Sequence, residues 1–283
     1  MASNSEQIDY WNGEGGRKWA EQHATLENVL HHVGEAALDA AAPAAGEWAL
    51  DIGCGCGSQT LGLARRIGPS GRVLGVDVSA PMLAVARDET ANSSGDHAAI
   101  EFLQADASSH AFEAGRYDLL FSRFGVMFFD DPGSAFRNLH RALKSGGRLA
   151  FCCWRSLAEN DFMKVPIAAA LQHLPAPENP PPDAPGPFAF ADAERVRAIL
   201  AEAGYRNIHI EAAERPMRLA EGLSMEESAS RLLALGPVSR LLAQESEQTR
   251  ERVHESVVRA LLPYSDSEGV TFSGRFWLVR ASV

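Results

Sequence analysis

The chain has 283 residues, 46% of them hydrophobic, enough to bury the core of one large α/β domain or of one domain with an elaborate lid. Its formal net charge of −11 argues against a nucleic acid or an anionic membrane as the main partner, because such partners are met by basic surfaces, and leaves small molecules and proteins. The four cysteines lack paired Cys-x-x-Cys spacing, and with no signal-peptide pattern and no membrane-length apolar stretch, a reduced, cytoplasmic protein without a zinc site or membrane span is expected.

Residues 1–47 concentrate Tyr10, Trp11, Gly13, Gly16 and Trp19 ahead of a helix that carries His31 and His32. Residues 48–51 form a strand that ends in Asp51 and runs into Gly53-Cys54-Gly55-Cys56-Gly57. Glycine at every second position lets the backbone approach a ligand closely and adopt positive φ, and Ser58 is placed to cap a helix over 60–67. Gly68-Pro69-Ser70-Gly71 stops that helix, and 72–77 is a second strand with Val73, Leu74 and Val76 as its apolar body. Ser79 and Pro81 open the next helix, and 100–105 and 117–121 are strands three and four. Asp130-Asp131 cap a helix over 133–144, Gly146-Gly147 end it, and 148–153 is strand five. Five strand-helix steps predict an α/β fold with a Rossmann-like, doubly wound parallel sheet covered by helices on both faces.

Beyond Trp154 the pattern changes. Prolines crowd residues 174–188, which cannot hold a regular helix or a central strand and form a surface loop or part of a lid. Asp192 caps a helix that Gly204 stops, and 208–211 is a strand. Residues 224–262 are helical, with Val253, Val257 and Leu261 on one stripe and a break at Gly236-Pro237. The last strand, 271–279, is rich in β-branched and aromatic residues. The chain thus divides into an N-terminal helical segment over the site (1–47), a binding core (48–154), a proline-rich loop or lid (155–190) and the remainder of the core (191–283), which carries a helical lid insertion at about 215–265.

Ligands of an open parallel sheet sit outside the carboxyl ends of the strands, where strand order reverses, so strand-terminal residues carry the chemistry. Asp51 ends strand one, Asp77 ends strand two, Asp106 follows strand three, and Ser122-Arg123 follow strand four. Asp77 is placed to accept both hydroxyls of a ribose and Asp106 to take the exocyclic amine of an adenine, while Asp51 can orient the glycine turn or meet an ammonium group. A nicotinamide-dependent dehydrogenase also has glycines after strand one and an acid after strand two. Against it stand Asp51 directly before the turn, the Gly-x-Gly-x-Gly spacing of Gly53, Gly55 and Gly57, and the further strand-end acid Asp106.

Residues 49–58, with Gly75-Val76-Asp77-Val78-Ser79, Gln104-Ala105-Asp106-Ala107 and Leu143-Lys144-Ser145-Gly146-Gly147, resemble the motif series of class I S-adenosylmethionine-dependent methyltransferases. Within that family the chain is most similar to the small-molecule group that includes the ubiquinone/menaquinone-biosynthesis type. The resemblance covers residues 48–154 and, more loosely, 187–210. It implies a seven-stranded sheet of order 3-2-1-4-5-7-6 with strand seven antiparallel. It also implies transfer of a methyl group from S-adenosylmethionine to a small organic acceptor, releasing S-adenosylhomocysteine. By the same resemblance Asp77 holds the ribose, Val78 and Met82 flank the adenine, Asp106 and Ala107 meet its amino edge, and Gly53 and Gly55 pass the methionine portion. Met82 can equally be helix core, and Asp106 can simply cap a turn. In related methyltransferases a segment like the N-terminal one folds over the donor, where the aromatic faces of Tyr10 and Trp19 suit a sulfonium cation; packing against the sheet is the alternative.

Arg123 can reach the donor carboxylate, clamp an acidic acceptor or form a surface salt bridge. Methyl transfer needs alignment and exclusion of water more than a base, although His31 or His32 could deprotonate a phenol or amine if they are not simply exposed helix histidines. No metal requirement is expected. Phe124, Phe128, Phe129 and Trp154 near the strand ends suggest an apolar, aromatic acceptor, Trp154 being otherwise a core residue. The acceptor atom is not specified, and a non-catalytic cofactor-binding protein is a second reading. Two signals are set aside. Asn179-Pro180-Pro181 resembles the Asn-Pro-Pro-aromatic signature of nucleic-acid amino-methyltransferases but does not follow strand four and lacks the aromatic. Cys152-Cys153 sit in an apolar strand, as small hydrophobes would, rather than as a thiol or arsenic site.

Overall fold

The structure is a computed structural model that describes residues 4–176, 181, 184–219, 222–234, 236–242 and 244–283. Three helices, α1 (Ser5–Asn12), α2 (Glu14–Glu21) and α3 (His23–Ala41), precede the sheet. The core then alternates through β1 (Trp48–Ile52), α4 (Ser58–Ile67), β2 (Arg72–Asp77), α5 (Ala80–Ala91), β3 (Ala99–Gln104), β4 (Tyr117–Arg123), α6 (Pro132–Ala142) and β5 (Leu143–Trp154). After α7 (Asp161–Ala170), α8 (Ala193–Glu202) and β6 (Arg206–Arg218) come α9 (Met225–Ala234), α10 (Gly236–Leu242), α11 (Glu247–Leu261), a two-residue β7 (Ser265–Asp266) and β8 (Gly269–Ser282).

Strand order is β3-β2-β1-β4-β5-β8-β6, with β7 paired only to β8. Strands β1 to β5 are mutually parallel, and β8 runs antiparallel between β5 and β6. With the minor β7 set aside, this is the expected order of seven strands. Burial explains why β1 is central: Ala49 to Ile52 are all buried, as a strand covered on both faces requires, and Asp51 is the one charge among them. The chain passes from β1 to β2 on one side and from β4 to β5 on the other, so right-handed crossovers place α4 and α6 on opposite faces and open a crevice at the carboxyl ends of β1 and β4.

Strands β6 and β8 pair from Arg206–Ser282 to Arg218–Thr271, whereas β5 ends with Trp154 opposite Phe276. Past that point the hairpin is a two-stranded ribbon that projects beyond the carboxyl end of β5. It carries α9, α10 and α11, which pack with α7 into a helical cap. The stripe of Val253, Val257 and Leu261 is fully buried, as expected of the cap's internal face.

Several boundaries differ from the sequence expectation, each for a physical reason. Strand β6 has 13 residues rather than the four of 208–211, because most of its side chains are exposed and show no apolar run. Helix α7 contains Pro166, a residue that normally argues against a helix interior. Ser58 is not the cap of α4: Gly57, with φ 84, takes that position and Ser58 begins the helix. Ser79 accepts from Met82 N–H, Asp131 from Ser134 N–H, and Asp192 from Glu194 and Arg195 N–H, as expected, but Asp130 is not the cap of α6, and that helix ends at Ala142 because residues 143–147, Gly146-Gly147 among them, are already extended in β5. All four cysteines are free and buried. Residues 179 and 180 of the Asn-Pro-Pro sequence lie outside the described residues, and among the described residues no helix is long and apolar enough to cross a membrane.

Candidate active site

The turn after β1 is closed by Gly53 and Cys54, whose N–H groups donate to the Val76 carbonyl at 2.8 and 3.1 Å. Gly53, Gly55 and Gly57 have φ of 66°, 55° and 84°, conformations that other residues adopt only under strain. A Cβ on Gly53 would lie 2.7 Å from Gly125 Cα, so the loop after β4 seats directly on the turn. At Gly55 a Cβ would meet only Met82 Sδ at 3.9 Å, which leaves the turn open to a ligand there.

Two carboxylates hold the turn. Asp51 is 1% exposed and accepts the Thr60 hydroxyl at 2.6 Å, which favours the turn-orienting reading over contact with an ammonium group. Burial pushes its carboxyl up to about 7; the Thr60 bond and Arg123 offset this in part, and Asp77 adds to it. Asp77 accepts Gly55 N–H through Oδ2 and Ser79 N–H through Oδ1, both at 2.8 Å. Burial raises its carboxyl too, against those backbone bonds. A carboxylate has lone pairs for further donors, so these bonds fix its orientation without saturating it.

Around the end of β3, Asp106 caps its own turn, accepting Ser108 N–H at 2.9 Å, the Ser108 hydroxyl at 2.8 Å and Asn4 Nδ2 at 3.4 Å. Ala107 and Met82 are buried beside it and below Gly55 respectively. The Val78 carbonyl accepts Asn12 Nδ2 at 2.9 Å and Gln104 Nε2 at 3.2 Å. Asn12 also accepts Ala80 N–H at 3.0 Å, and the Trp11 carbonyl accepts the Ser79 hydroxyl at 2.6 Å. The N-terminal helices are thus docked on the strand ends through Trp11 and Asn12, with Tyr10, Trp19 and Phe128 edge-on to Trp11 at centroid distances of 5.0, 5.8 and 5.3 Å. Sequence reasoning picked out this aromatic segment and ranked Tyr10 and Trp19 in it, whereas the hydrogen bonds to the loop after β2 come from Trp11 and Asn12.

At the end of β4, Ser122 is fully buried and donates to the Ile52 carbonyl at 2.7 Å while accepting Gly125 N–H at 3.1 Å. Its hydroxyl ties the loop to β1. Arg123 forms a two-pronged pair with Glu27 of α3 at 3.0 and 2.7 Å, and the side chains are only 16% and 27% exposed, so this is no surface salt bridge. Burial works to raise the Glu27 carboxyl, but the Arg123 guanidinium overcomes it and, with the Ser58 hydroxyl, holds it below the ordinary range. Gln59 donates weakly to Glu27 at 3.4 Å, and its buried Oε1 has no partner. Neither Glu27 nor Gln59 carries a signal in the sequence, because the partner that gives Glu27 its meaning is 96 residues away. His31 and His32 are exposed on α3, ring against ring at 5.3 Å, and no described residue hydrogen-bonds to either.

Among the aromatic candidates, Phe124 stacks on Trp154 with centroids 4.0 Å apart and planes 12° from parallel. Phe124 has φ 62°, a strained conformation for a bulky residue, and strain of that kind concentrates at functional sites. Phe129 instead packs edge-on to Phe136 in the core. A groove of about 710 Å³ runs between α2 and the cap, lined by Glu14, Lys18, Leu233, Leu242, Arg250 and His254. The thiols of Cys54 and Cys56 are pushed up by burial, Cys56 to about 12, so neither is a thiolate nucleophile. Among the described residues no group of His, Cys, Asp and Glu could hold a metal ion.

An elongated nucleoside with an amino-acid end fits these residues: a carboxylate at the end of β2, open backbone at Gly55, and an ion pair with an unpartnered buried amide oxygen at the end of β4. Comparison with known proteins agrees. Residues 50–151 match the methyltransferase domain family. A demethylmenaquinone methyltransferase of Staphylococcus carnosus is 30% identical over 175 residues, 58% of this chain and 70% of that protein. A ubiquinone/menaquinone biosynthesis C-methyltransferase of Hahella chejuensis is 37% identical over 113 residues, 40% of this chain and 45% of that protein, so the chain spans less than half of that relative's length. Phosphoethanolamine N-methyltransferase 2 of Haemonchus contortus, solved with phosphomonomethylethanolamine and S-adenosylhomocysteine, aligns with a TM-score of 0.57 at 19% identity, covering 100% of this chain and 60% of that one, a likeness of fold.

Proposed function

The chain belongs to the S-adenosylmethionine-dependent methyltransferases, and on that premise we propose that the donor lies along the glycine turn with its ribose on Asp77, its adenine between Val78 and Met82, and its amino edge toward Asp106 and Ala107. The reaction is methyl transfer to a small molecule, leaving S-adenosylhomocysteine. The observation that carries the donor assignment is the Asp77 carboxylate, locked by Gly55 and Ser79 N–H at the end of β2, beside backbone that is open at Gly55.

The donor, when bound, supplies a methyl group on positively charged sulfur, already activated for in-line displacement. The protein's task is therefore alignment and exclusion of water. Asp51 and Thr60 hold the turn in shape, Ser122 fixes the loop after β4 against β1, and Asn12 with Trp11 docks the N-terminal helices on the strand ends. The helical cap covers the acceptor side. His31 and His32 are assigned no proton transfer, since their rings are exposed on α3.

The acceptor we infer is an apolar, aromatic small molecule of quinone type. The stacked Phe124–Trp154 pair supports this reading, as do the names of the relatives, which act in menaquinone and ubiquinone biosynthesis. Calorimetric titration with S-adenosylhomocysteine, and with NAD in a parallel cell, tests the donor; binding of NAD alone would overturn it. Labelled-methyl transfer to a demethylated quinol and to phosphoethanolamine then tests the acceptor, with the quinol expected to be turned over at least tenfold more efficiently. Activity confined to charged acceptors refutes the aromatic assignment.

A further inference from the structure

Resting on the aromatic-acceptor reading above, we propose that Phe124 is a displaceable cover on Trp154, and that the planar ring of the acceptor takes its place there, face to face with the indole. The argument begins at the backbone. Among the described residues three non-glycine residues have positive φ: Ala42, Phe124 and Asn207. Ala42 closes the end of α3, and Asn207, of a residue type that tolerates this region, sits where the register between β6 and β8 shifts. Neither cause applies to Phe124, a bulky residue in the loop after β4 with φ 62°.

Its neighbours hold it there. Phe124 N–H donates to the Cys152 carbonyl at 3.1 Å, and Gly125 N–H donates to the Ser122 hydroxyl at 3.1 Å. A Cβ on Gly125 would lie 2.6 Å from the Ile52 carbonyl oxygen and 2.9 Å from Gly53 Cα, so this residue is wedged between β1 and the glycine turn. With both flanks pinned, the strain persists because the surroundings over-determine it. The same pinning places the Phe124 side chain one residue from the glycine turn, over the end of β5.

The two stacked rings differ in how firmly they are held. Trp154 is 7% exposed, ends β5 opposite the fully buried Phe276, and is backed by the ribbon, since a Cβ on Gly274 would come within 3.5 Å of its Cζ3. Phe124 is half-buried, and Trp154 is its one ring partner among the described residues. The indole is therefore the fixed plate and the phenyl the movable one, since rotation about χ1 turns the phenyl away without disturbing the pinned backbone. The Trp154 N–H bonds to no described residue, although a buried indole N–H ordinarily finds a partner, so hydrogen bonding of the fold does not set the ring's position. Stacked at 4.0 Å with planes 12° from parallel, Phe124 makes the contact that a flat conjugated ring would make. The adjoining Arg123 has its guanidinium engaged by Glu27, which leaves the plate to uncharged rings. Such a plate selects a planar ring over a saturated one of the same size. As a cover, Phe124 shields the turn from water and yields to a ring that restores the stack.

The test titrates 2-naphthol and its saturated counterpart, decahydro-2-naphthol, into the full chain with saturating S-adenosylhomocysteine. The parent should bind 2-naphthol at least fivefold more tightly than the saturated alcohol. Phe124→Gly removes the cover and suits the positive φ, so 2-naphthol affinity should rise at least threefold, no ring having to be displaced. Trp154→Leu should abolish the preference between the two probes, and S-adenosylhomocysteine affinity within twofold of the parent certifies the fold of both variants. Phe124→Gly alone decides the matter if Trp154→Leu does not fold. A parent that prefers 2-naphthol, with affinity unchanged or lowered in Phe124→Gly, refutes the displacement and leaves the aromatic-acceptor reading standing. A parent that does not distinguish the two probes refutes that reading, and the cover falls with it.

Discussion

Replacing Asp51 with Asn removes a buried charge while keeping an oxygen for the Thr60 hydroxyl. In the folded protein this carboxyl titrates at about 7 against an ordinary 3.8, chiefly because it is buried. The folded state therefore holds the proton more tightly than the unfolded chain. Between these two values the unfolded chain binds fewer protons, so stability falls as pH rises through the window and is flat on either side of it. Integrated from about pH 5 to about pH 7.5, the loss from this one group is about 2–3 kcal/mol. Denaturant unfolding at the two pH values measures it directly. Asp77, whose carboxyl is also raised, is present in both proteins and cancels to first order. The difference in stability between parent and Asp51→Asn should thus move by about 2–3 kcal/mol in favour of the variant at the higher pH. A difference constant within about 0.5 kcal/mol would mean that the carboxyl is ionised throughout, and the reasoning from burial would be wrong.

Three further outcomes follow from the site. Asp77→Asn should weaken S-adenosylhomocysteine binding at least tenfold by calorimetry, since hydrogen bonds to a charged group contribute about 1.5–3 kcal/mol each; unchanged affinity in the folded variant removes the ribose assignment. Helix propensity favours Gly34→Ala by about 1 kcal/mol, and the new Cβ would meet only the ends of the Gln59 and Arg123 side chains, so the melting temperature should hold or rise as Gln59 swings aside; a destabilisation of more than about 2 kcal/mol would mean that Gln59 is held rigidly. Asn12→Ala removes the bonds to Val78 and Ala80 that dock the N-terminal helices, so S-adenosylhomocysteine should dissociate several-fold faster in stopped-flow measurements. An unchanged dissociation rate would mean that residues 1–47 do not cover the donor.

The sheet was legible in the sequence because its determinants are local. Apolar runs ending in Asp51 and Asp77, caps at Ser79, Asp131 and Asp192, and the glycine stops at Gly68 and Gly204 are each set within a few residues, whereas Gly146-Gly147, read as a helix stop, lie inside β5. Legibility failed where an element takes its identity from a distant neighbour. Strand β6 is solvated over much of its length and owes its 13 residues to pairing with β8, not to its own pattern. Arg123 left three possibilities open, and Glu27, which gives it a partner, lies on a helix three strands earlier in the chain. Asp106 shows the converse: the sequence allowed it a turn-capping reading, and Ser108 supplies the donors for it.

The ribbon of β6 and β8 gives the molecule a separable architecture. Its two strands enter and leave the cap side by side, at Arg218 and Thr271, so the chain between them joins the sheet at a single paired station and otherwise meets the fold mainly through its packing on α7. Closing a longer or shorter excursion at such a station costs little, because closure entropy grows only logarithmically with length. The register that binds β8 to β5 is set by Trp154 to Arg148 and is indifferent to what hangs beyond. The segment between 219 and 268 can therefore change in length or sequence with the glycine turn and its carboxylates left untouched, so long as its face against α7 is kept.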